Sequence, residues 1–261
     1  MAVAVDGARV LITGASSGIG WATAEALAAA GATVAVSARR ARRLDDLVTG
    51  LPGRGHVALP ADLADLDAAA AVAVAAWEAL GHLDVVVHNA AIPKRRHVTA
   101  LTPAEVEETM RLNYLAPVRV ALVTLPRMLA RGSGCQVFVS SLGGRLPIVN
   151  EAAYSGSKYA LCGFAESMAV DLHASPVDVR LVLPGPIATE IWDQPGNDPP
   201  LYDGPLEPPS LVADAIVAAI EGDAFEVYAP DMKGVVEWKT SDPDAYIAGV
   251  AAMARPAEAT P

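Results

Sequence analysis

Tyr154 and Lys158 stand four residues apart in Tyr154-Ser155-Gly156-Ser157-Lys158, a spacing that puts both on one face of a helix. A free phenol titrates near about 10, too high to shuttle protons readily at neutrality. A lysine cation beside it favours the phenolate and brings that value closer to working pH. Thirteen residues upstream, Ser140-Ser141 closes an apolar run with the content of a buried strand. A serine hydroxyl there could hold a substrate oxygen while the phenol protonates it, stabilising the charge that develops during hydride transfer. Tyrosine and lysine at this spacing occur by chance in many helices, so the pair needs support from elsewhere in the chain.

That support lies near the N-terminus. Thr13-Gly14-Ala15-Ser16-Ser17-Gly18-Ile19-Gly20 follows a strand-like run and opens a helix-like one. Glycines there allow a tight turn and close backbone approach, and a helix N-terminus offers free N–H groups to a phosphate. The spacing is Gly-x-x-x-Gly-x-Gly rather than the commoner Gly-x-Gly-x-x-Gly, and its place at the first strand–helix junction points to dinucleotide binding. About 20 residues further on, an NAD site would carry a carboxylate for the ribose hydroxyls. Ala38 stands there instead, followed at once by Arg39 and Arg40. A guanidinium pairs with a 2′-phosphate that a carboxylate would repel, so the expected cofactor is NADP, with NAD the lesser choice. Alternatively, Arg39, Arg40, Arg42 and Arg43 form only a solvated helix face.

The elements that must position these groups follow from the hydrophobic pattern. Arg9–Thr13, Thr33–Ala38, His56–Pro60, Leu83–His88, Gln136–Ser140, Val177–Leu183 and Phe225–Tyr228 read as strands. Ile19–Ala30, Arg40–Thr49, Asp67–Leu80, Pro103–Ala130, Ala152–His173, Leu211–Glu221 and Asp244–Met253 read as helices. Thr102 with Glu105 forms a capping-box spacing ahead of the long fourth helix, and Pro117 and Pro126 predict a kink or break within it. Repeated alternation implies an α/β fold, a Rossmann-like doubly wound parallel sheet of about seven strands with helices on both faces. No internal repeat is evident, and one domain over residues 1–261 is expected. In Gln194–Pro209, six of sixteen residues are proline, so 190–209 reads as a lid loop over the site, while 255–261 reads as a frayed tail.

Composition narrows the function. Hydrophobic residues make up 52% of the chain and charged residues 19%, enough for a large core. The net charge of −11 argues against nucleic-acid binding. Cys135 and Cys162 read as buried free thiols, the five histidines show no metal-ligand spacing, and no metal is expected. Neither a signal peptide nor an apolar run of about 18 residues is evident, so the expectation is a cytoplasmic protein away from membranes.

Taken in order, these pieces resemble the short-chain dehydrogenase/reductase family, in its single-domain form of roughly 250 residues. The matching residues run from Arg9 to about Tyr228: the Thr13–Gly20 turn, Asp62-Leu63, Asn89-Ala90, Asn113, Ser141, Tyr154, Lys158 and Pro184-Gly185-Pro186-Ile187-Ala188-Thr189. The resemblance implies a catalytic tetrad. Tyr154 is then acid/base, Ser141 orients the carbonyl, Lys158 binds the nicotinamide ribose, and Asn113 holds a water linking Lys158 to solvent. It further implies cofactor contacts from Gly14, Ser16, Ser17, Gly18, Ile19 and Gly20, from Asp62 and Leu63 at the adenine, from Asn89 and Ala90, and from Pro184, Gly185, Ile187 and Thr189. The family usually carries Asn-Asn-Ala-Gly where this chain has His88-Asn89-Ala90-Ala91, which alters the wall beside the cofactor. His88 is read as structural.

Around the substrate, Leu142, Gly143, Arg145, Pro147, Val149, Asn150, Ile191 and Trp192 are expected beside Ser141 and Tyr154. Most are apolar, which suggests a hydrophobic ketone or secondary alcohol. Trp192 reads equally well as lid packing, and Lys94-Arg95-Arg96 reads as a solvated loop near the site mouth. Tyr228, Met232, Trp238 and Tyr246 either close the pocket or cover a subunit interface, since a homodimer or homotetramer is common in such families. The competing function is a dinucleotide-binding redox sensor without turnover. A dehydratase or epimerase on the same fold is a third reading, for which 261 residues leave little room for a substrate domain.

Overall fold

The computed structural model of the chain describes residues 3–253. Its seven strands are β1 (Arg9–Thr13), β2 (Thr33–Ala38), β3 (Val57–Pro60), β4 (Val85–His88), β5 (Gly134–Val139), β6 (Val177–Pro184) and β7 (Glu226–Ala229). They form one parallel sheet in the order β3-β2-β1-β4-β5-β6-β7. The helices are α1 (Gly18–Ala29), α2 (Ala41–Gly50), α3 (Leu66–Leu80), α4 (Pro103–Met110), α5 (Ala116–Arg131), α6 (Ala152–Asp171), α7 (Pro209–Glu221), α8 (Lys233–Ser241) and α9 (Pro243–Met253).

A parallel sheet covered on both faces needs strands apolar at nearly every position, and β4 is buried at all four. Successive side chains then serve opposite layers. Val10, Ile12, Val34, Val36, Val85 and Val87 meet Leu27 of α1, Leu44 of α2 and Ile216 of α7 on one face. Leu11, Ala35 and Val86 meet Ala73 of α3 and Val120 of α5 on the other, and Phe138, Leu181 and Leu183 meet Leu161 and Ala165 of α6. Strand order reverses between β1 and β4, so the loops leaving their C-terminal ends diverge and open a crevice there.

The long predicted helix Pro103–Ala130 is divided as its prolines require, though not at Pro126. A π-helical turn over Arg111–Leu115 separates α4 from α5, and Pro126 is accommodated inside α5. Pro117 lacks the N–H that would bond the Asn113 carbonyl, and the widened turn relieves its clash with that carbonyl. The Thr102–Glu105 capping box is present. Helix α8, which falls in a stretch without clear periodicity, was not expected from the sequence. Strand β3 starts one residue later than predicted because the His56 ring leaves the ladder and accepts from Val34 N–H (3.2 Å). Strand β5 ends at Val139, before Ser140, whose side chain turns to the Lys158 carbonyl (3.2 Å).

Segment 190–209 begins with a 3-10 turn over Glu190–Asp193, is irregular through Pro208 and ends on the first residue of α7. Its base is closed by Ala188 N–H donating to Glu207 O (2.8 Å) and Glu207 N–H to Pro186 O (2.9 Å). The expected tail at 255–261 lies outside the described residues.

Candidate active site

The crevice is a cleft of about 670 Å³ at the C-terminal edge of the sheet. At one end the glycine turn is wrapped so tightly that its glycines touch neighbouring backbone. A Cβ on Gly20 would lie 2.4 Å from the Gly14 carbonyl, and one on Gly14 (φ +71°) would lie 2.7 Å from Ala90 Cα. Asn89 holds the turn against β4: its amide donates to Thr13 O (2.9 Å) and Gly14 O (3.3 Å), while Thr13 Oγ1 accepts from the Asn89 and Ala90 N–H groups. Ser17 precedes α1 without capping it, and no acidic residue sits in its first turn. The first N–H groups of α1 therefore face the cleft with no side-chain acceptor, which fits a phosphate.

Most sequence-predicted cofactor residues line this cleft: Gly14, Ser16, Ser17, Gly18, Ile19, Arg39, Arg40, Asp62, Leu63, Asn89, Ala90, Pro184, Gly185, Ile187 and Thr189. Gly20 does not; it underlies the turn. Arg39 and Arg40 diverge in role. Arg40 is bound within the protein, donating to Ser16 Oγ (3.1 Å), Ser17 Oγ (2.7 Å) and Glu190 Oε2 (2.7 Å), while Arg43 pairs with the other Glu190 oxygen. Burial is the largest single influence on the Glu190 carboxyl and pushes it up, but Arg40, Ser17 and Arg43 together outweigh it and hold the carboxyl below its ordinary range.

At the cleft's centre, β5 delivers Ser141 and α6 delivers Tyr154 and Lys158. Ser141 Oγ accepts from Gly143 N–H (3.0 Å) and is close enough to the Tyr154 hydroxyl to favour its phenolate by hydrogen bonding. Lys158 is 2% exposed, and its Nζ donates to Val139 O (3.1 Å) while standing 5.8 Å from the Tyr154 ring centroid. Burial lowers its pKa to about 8. Burial also drives the Tyr154 phenol upward; the Ser141 bond opposes this and the Glu151 charge adds to it. In the protein by itself desolvation outweighs the polar neighbours and holds the phenol protonated.

Asn113 is fully buried rather than solvated. Its amide donates to Ile92 O (2.9 Å) and Ser157 Oγ (3.0 Å), and its Oδ1 accepts from Ile92 N–H (2.9 Å), so it braces the strand-end loop against α6. Ser157 in turn donates to the Tyr154 carbonyl (2.7 Å). His88, as expected, is structural: it stacks on Phe138 at 4.5 Å, bonds Gln136 (2.7 Å), and burial lowers it to about 4, so it is neutral.

At the substrate end, Leu142, Val149, Ile191 and Trp192 line the cleft with Pro147. Gly143, Arg145 and Asn150 do not. Gly143 serves Ser141 through its N–H, and Arg145 turns away to pair with Glu226 (2.6 Å) and Glu166. Met232, Tyr246 and Val250 close the cleft, and Tyr228, Met232 and Tyr246 pack with Leu142 and Leu146. Tyr246 is therefore pocket wall, whereas Tyr228 and the exposed Trp238, edge-on against Tyr246 at 5.1 Å, do not line the cleft.

One reading was wrong and one residue was missed. Lys94 and Arg95 are buried, not part of a solvated loop. Arg95 reaches across to the lid, donating from Nε to Asp198 O (3.0 Å), from Nη1 to Ile191 O (3.4 Å) and from Nη2 to Trp192 O (2.5 Å). Three backbone carbonyls pointing inward supply what water would otherwise give. The missed residue is Glu151, 8% exposed and lining the cleft one helical turn before Tyr154. Both Cys135 and Cys162 are free and buried, and burial raises both thiols, Cys135 to about 12. No group of metal-ligating side chains and no helix long and apolar enough to cross a membrane occurs among the described residues.

Comparison with known proteins agrees with this architecture. Residues 8–199 match the family described as short chain dehydrogenase. The "Dehydrogenase/reductase SDR family protein 7-like" of Drosophila melanogaster is 35% identical over 72% of this chain and 59% of that protein. The "Ketoacyl reductase HetN" of a Nostoc strain is 31% identical over 85% of this chain and 78% of that protein. The chain thus spans about 60% of the length of the first of these relatives. Among solved structures, a short-chain dehydrogenase from Streptomyces avermitilis is 31% identical, covering 94% of this chain and 96% of that one, at a TM-score of 0.79. One from Burkholderia cenocepacia in complex with NADP is 27% identical, covering 95% and 99%, at 0.81. By a family match across most of its length and by relatives above 30% identity, the chain belongs to the short-chain dehydrogenase family.

Proposed function

We propose that the chain is an oxidoreductase that uses NADP(H) to interconvert a ketone and a secondary alcohol, with Tyr154 as acid/base. The observation that carries this reading is that Ser141, Tyr154 and buried Lys158 meet in the same cleft as the glycine turn. When bound, the cofactor supplies or accepts the hydride. Ser141 Oγ fixes a substrate oxygen and Tyr154 gives or takes its proton. Burial holds the phenol protonated, the form that carbonyl reduction requires. Lys158 and the first turn of α1 hold the cofactor in this reading, and Asn113 fixes the loop and helix that carry the tetrad.

NADP rather than NAD is supported by Arg39 in the cleft wall and by Ala38 where an acid would grip the ribose. Arg40 is already engaged by Glu190, so the 2′-phosphate is assigned to Arg39 with Arg40 second. Association into a homodimer or homotetramer belongs to the same reading, supported by the apolar groove between α5 and α6 lined by Leu122, Leu125, Phe164 and Met168. Light scattering of the purified chain tests it, and a monomeric mass would remove it.

The first experiment is parallel titration with NADPH and NADH, followed by nicotinamide fluorescence. NADPH is expected to bind at least tenfold more tightly, and Arg39→Asp to abolish that margin. Equal affinities would withdraw the NADP assignment. Tyr154→Phe is expected to lower kcat at least about 100-fold while leaving NADPH affinity within twofold. Retained turnover would remove Tyr154 from its role.

A further inference from the structure

The substrate end of the cleft is mostly apolar, with Ile148, Val149, Ile191, Trp192, Leu201 and Tyr246 in its wall. Among the polar side chains there, with Arg95 and Gln194, is Glu151. It lies immediately before α6, one turn ahead of Tyr154, and 92% of its surface is covered at 8% exposure. No described N–H or hydroxyl donates to its carboxylate. The charge that faces it is Arg95, acting through space, while each of that guanidinium's three nitrogens donates to a lid carbonyl. The Glu151 oxygens are open to the cleft, and a carboxylate has room for about four hydrogen bonds that no described protein donor fills here. Burial accordingly raises its pKa to about 7, against the opposing Arg95 charge. The Ile191 and Trp192 carbonyls are spent on Arg95, so this wall offers a substrate one strong acceptor and few donors.

We propose that Glu151 is a specificity residue, accepting a hydrogen bond from a hydroxyl or ammonium group carried near the reacting carbonyl of the substrate. The inference rests on the oxidoreductase reading and sharpens it. The preferred molecule is a hydroxy ketone or amino ketone with an apolar body, or the corresponding alcohol, not a plain hydrocarbon ketone. A ligand lacking the donor would bury this carboxylate unpaired and be rejected, as sites built around a polar partner reject analogues without it.

Propiophenone, 2-hydroxyacetophenone and 2-aminoacetophenone present a methyl, a hydroxyl and an ammonium at one position and test this directly. Reduction by the full chain with NADPH is followed for the wild type, Glu151→Gln and Glu151→Leu. The wild type is expected to favour at least one donor ketone over propiophenone tenfold or more in kcat/KM. Glu151→Leu should bring the ratio down at least tenfold, mostly through KM, with NADPH affinity unchanged. Comparison between variants cancels the inherent reactivity of the activated ketones. A hydroxyl partner predicts that Glu151→Gln keeps much of the preference, and an ammonium partner that it loses it.

A second readout needs no turnover: the rise in Tm that each ketone gives the protein mixed with NADP+. A larger rise with a donor ketone, lost in Glu151→Leu, supports the subsite even if no ketone is reduced, and in that case the oxidoreductase reading fails alone. Reduction of all three ketones with ratios unchanged by Glu151→Leu overturns the subsite and leaves the oxidoreductase reading standing. No reduction and no Glu151-dependent rise overturns both.

Discussion

At the scale of single residues, the site is governed by desolvation more than by pairing. Tyr154 is held protonated although a lysine stands beside it, and Lys158 is lowered to about 8 although its Nζ bonds a carbonyl. A charged group in such surroundings loses solvation that one hydrogen bond does not replace. Asn113 shows the neutral case. It makes three hydrogen bonds at zero exposure, and removing the amide leaves the Ile92 N–H and carbonyl unpaired. Asn113→Ala is therefore expected to cost about 2–4 kcal/mol by chemical denaturation, at about 1–3 kcal/mol for each buried group left unsatisfied. Asn113→Asp, which keeps the acceptor but adds a charge, should be no better. A loss under 1 kcal/mol for the alanine variant would show that the loop at Ile92 is held by something else.

At the scale of elements, the glycine turn and the lid are each held by contacts that neighbouring elements supply. Gly20 sits where a methyl would come within 2.4 Å of the Gly14 carbonyl, backbone against backbone, whereas Gly163 in α6 has open space around it. Gly20→Ala should lower Tm by several degrees and weaken NADPH binding at least tenfold, because α1 must move off the turn. Gly163→Ala should instead stabilise by about 0.5–1 kcal/mol through helix propensity. Similar Tm values for the two variants would contradict the close packing at Gly20. The lid depends on Arg95, which gathers carbonyls from Ile191, Trp192 and Asp198 and lies 5.9 Å from the Trp192 ring. Arg95→Met keeps the apolar stem and removes the donors. It should speed proteolysis within 190–209 at least tenfold under native conditions, with little change elsewhere. Unchanged cleavage would mean that the base of the lid, at Ala188 and Glu207, holds it alone.

For the whole molecule, the buried acid and the buried lysine shape stability against pH. Glu151 has a folded pKa of about 7, above its ordinary value of 4.5, so the folded chain binds more protons between those values. Stability from this group is fully present below pH 4.5 and falls as pH rises through 7, by about 3 kcal/mol at most, taking 1.36 kcal/mol per unit. Lys158 acts in the opposite sense. Its folded pKa near 8 lies below 10.5, so its burial costs stability below pH 8 and the cost is relieved as pH rises beyond it. Glu151→Gln is therefore expected to raise Tm relative to the wild type at pH 8 and to leave it nearly unchanged at pH 5. A Tm difference independent of pH would place the Glu151 titration outside this window. Arg95 faces the carboxyl and limits the effect, so the double variant with Arg95→Met should show a larger one.

Sequence alone determined the element order, the parallel sheet and the chemistry-bearing motifs, because each is written in local terms. Buried parallel strands must be short runs of Val, Ile and Leu, the helices between them must carry an apolar face, and a turn wrapped on its own carbonyls admits little besides glycine. Tyr154, Lys158, Ser141 and the Thr13–Gly20 turn were legible for that reason, and Asn113 only through its resemblance to a family. Tertiary structure decided which polar residues are buried. Arg95 and Glu151 resemble surface residues in any window of sequence, since nothing near Arg95 says that a lid about 100 residues away will meet it and nothing near Glu151 says that a cleft will enclose it. Arg145 was misplaced for the converse reason: a loop beside the site carries side chains to both sides, and its direction is set by Glu226 of β7, while Gly143 has no side chain and serves the site only through its N–H to Ser141. Burial is a property of packed elements together, and the cost of a buried charge is fixed only when its surroundings are in place.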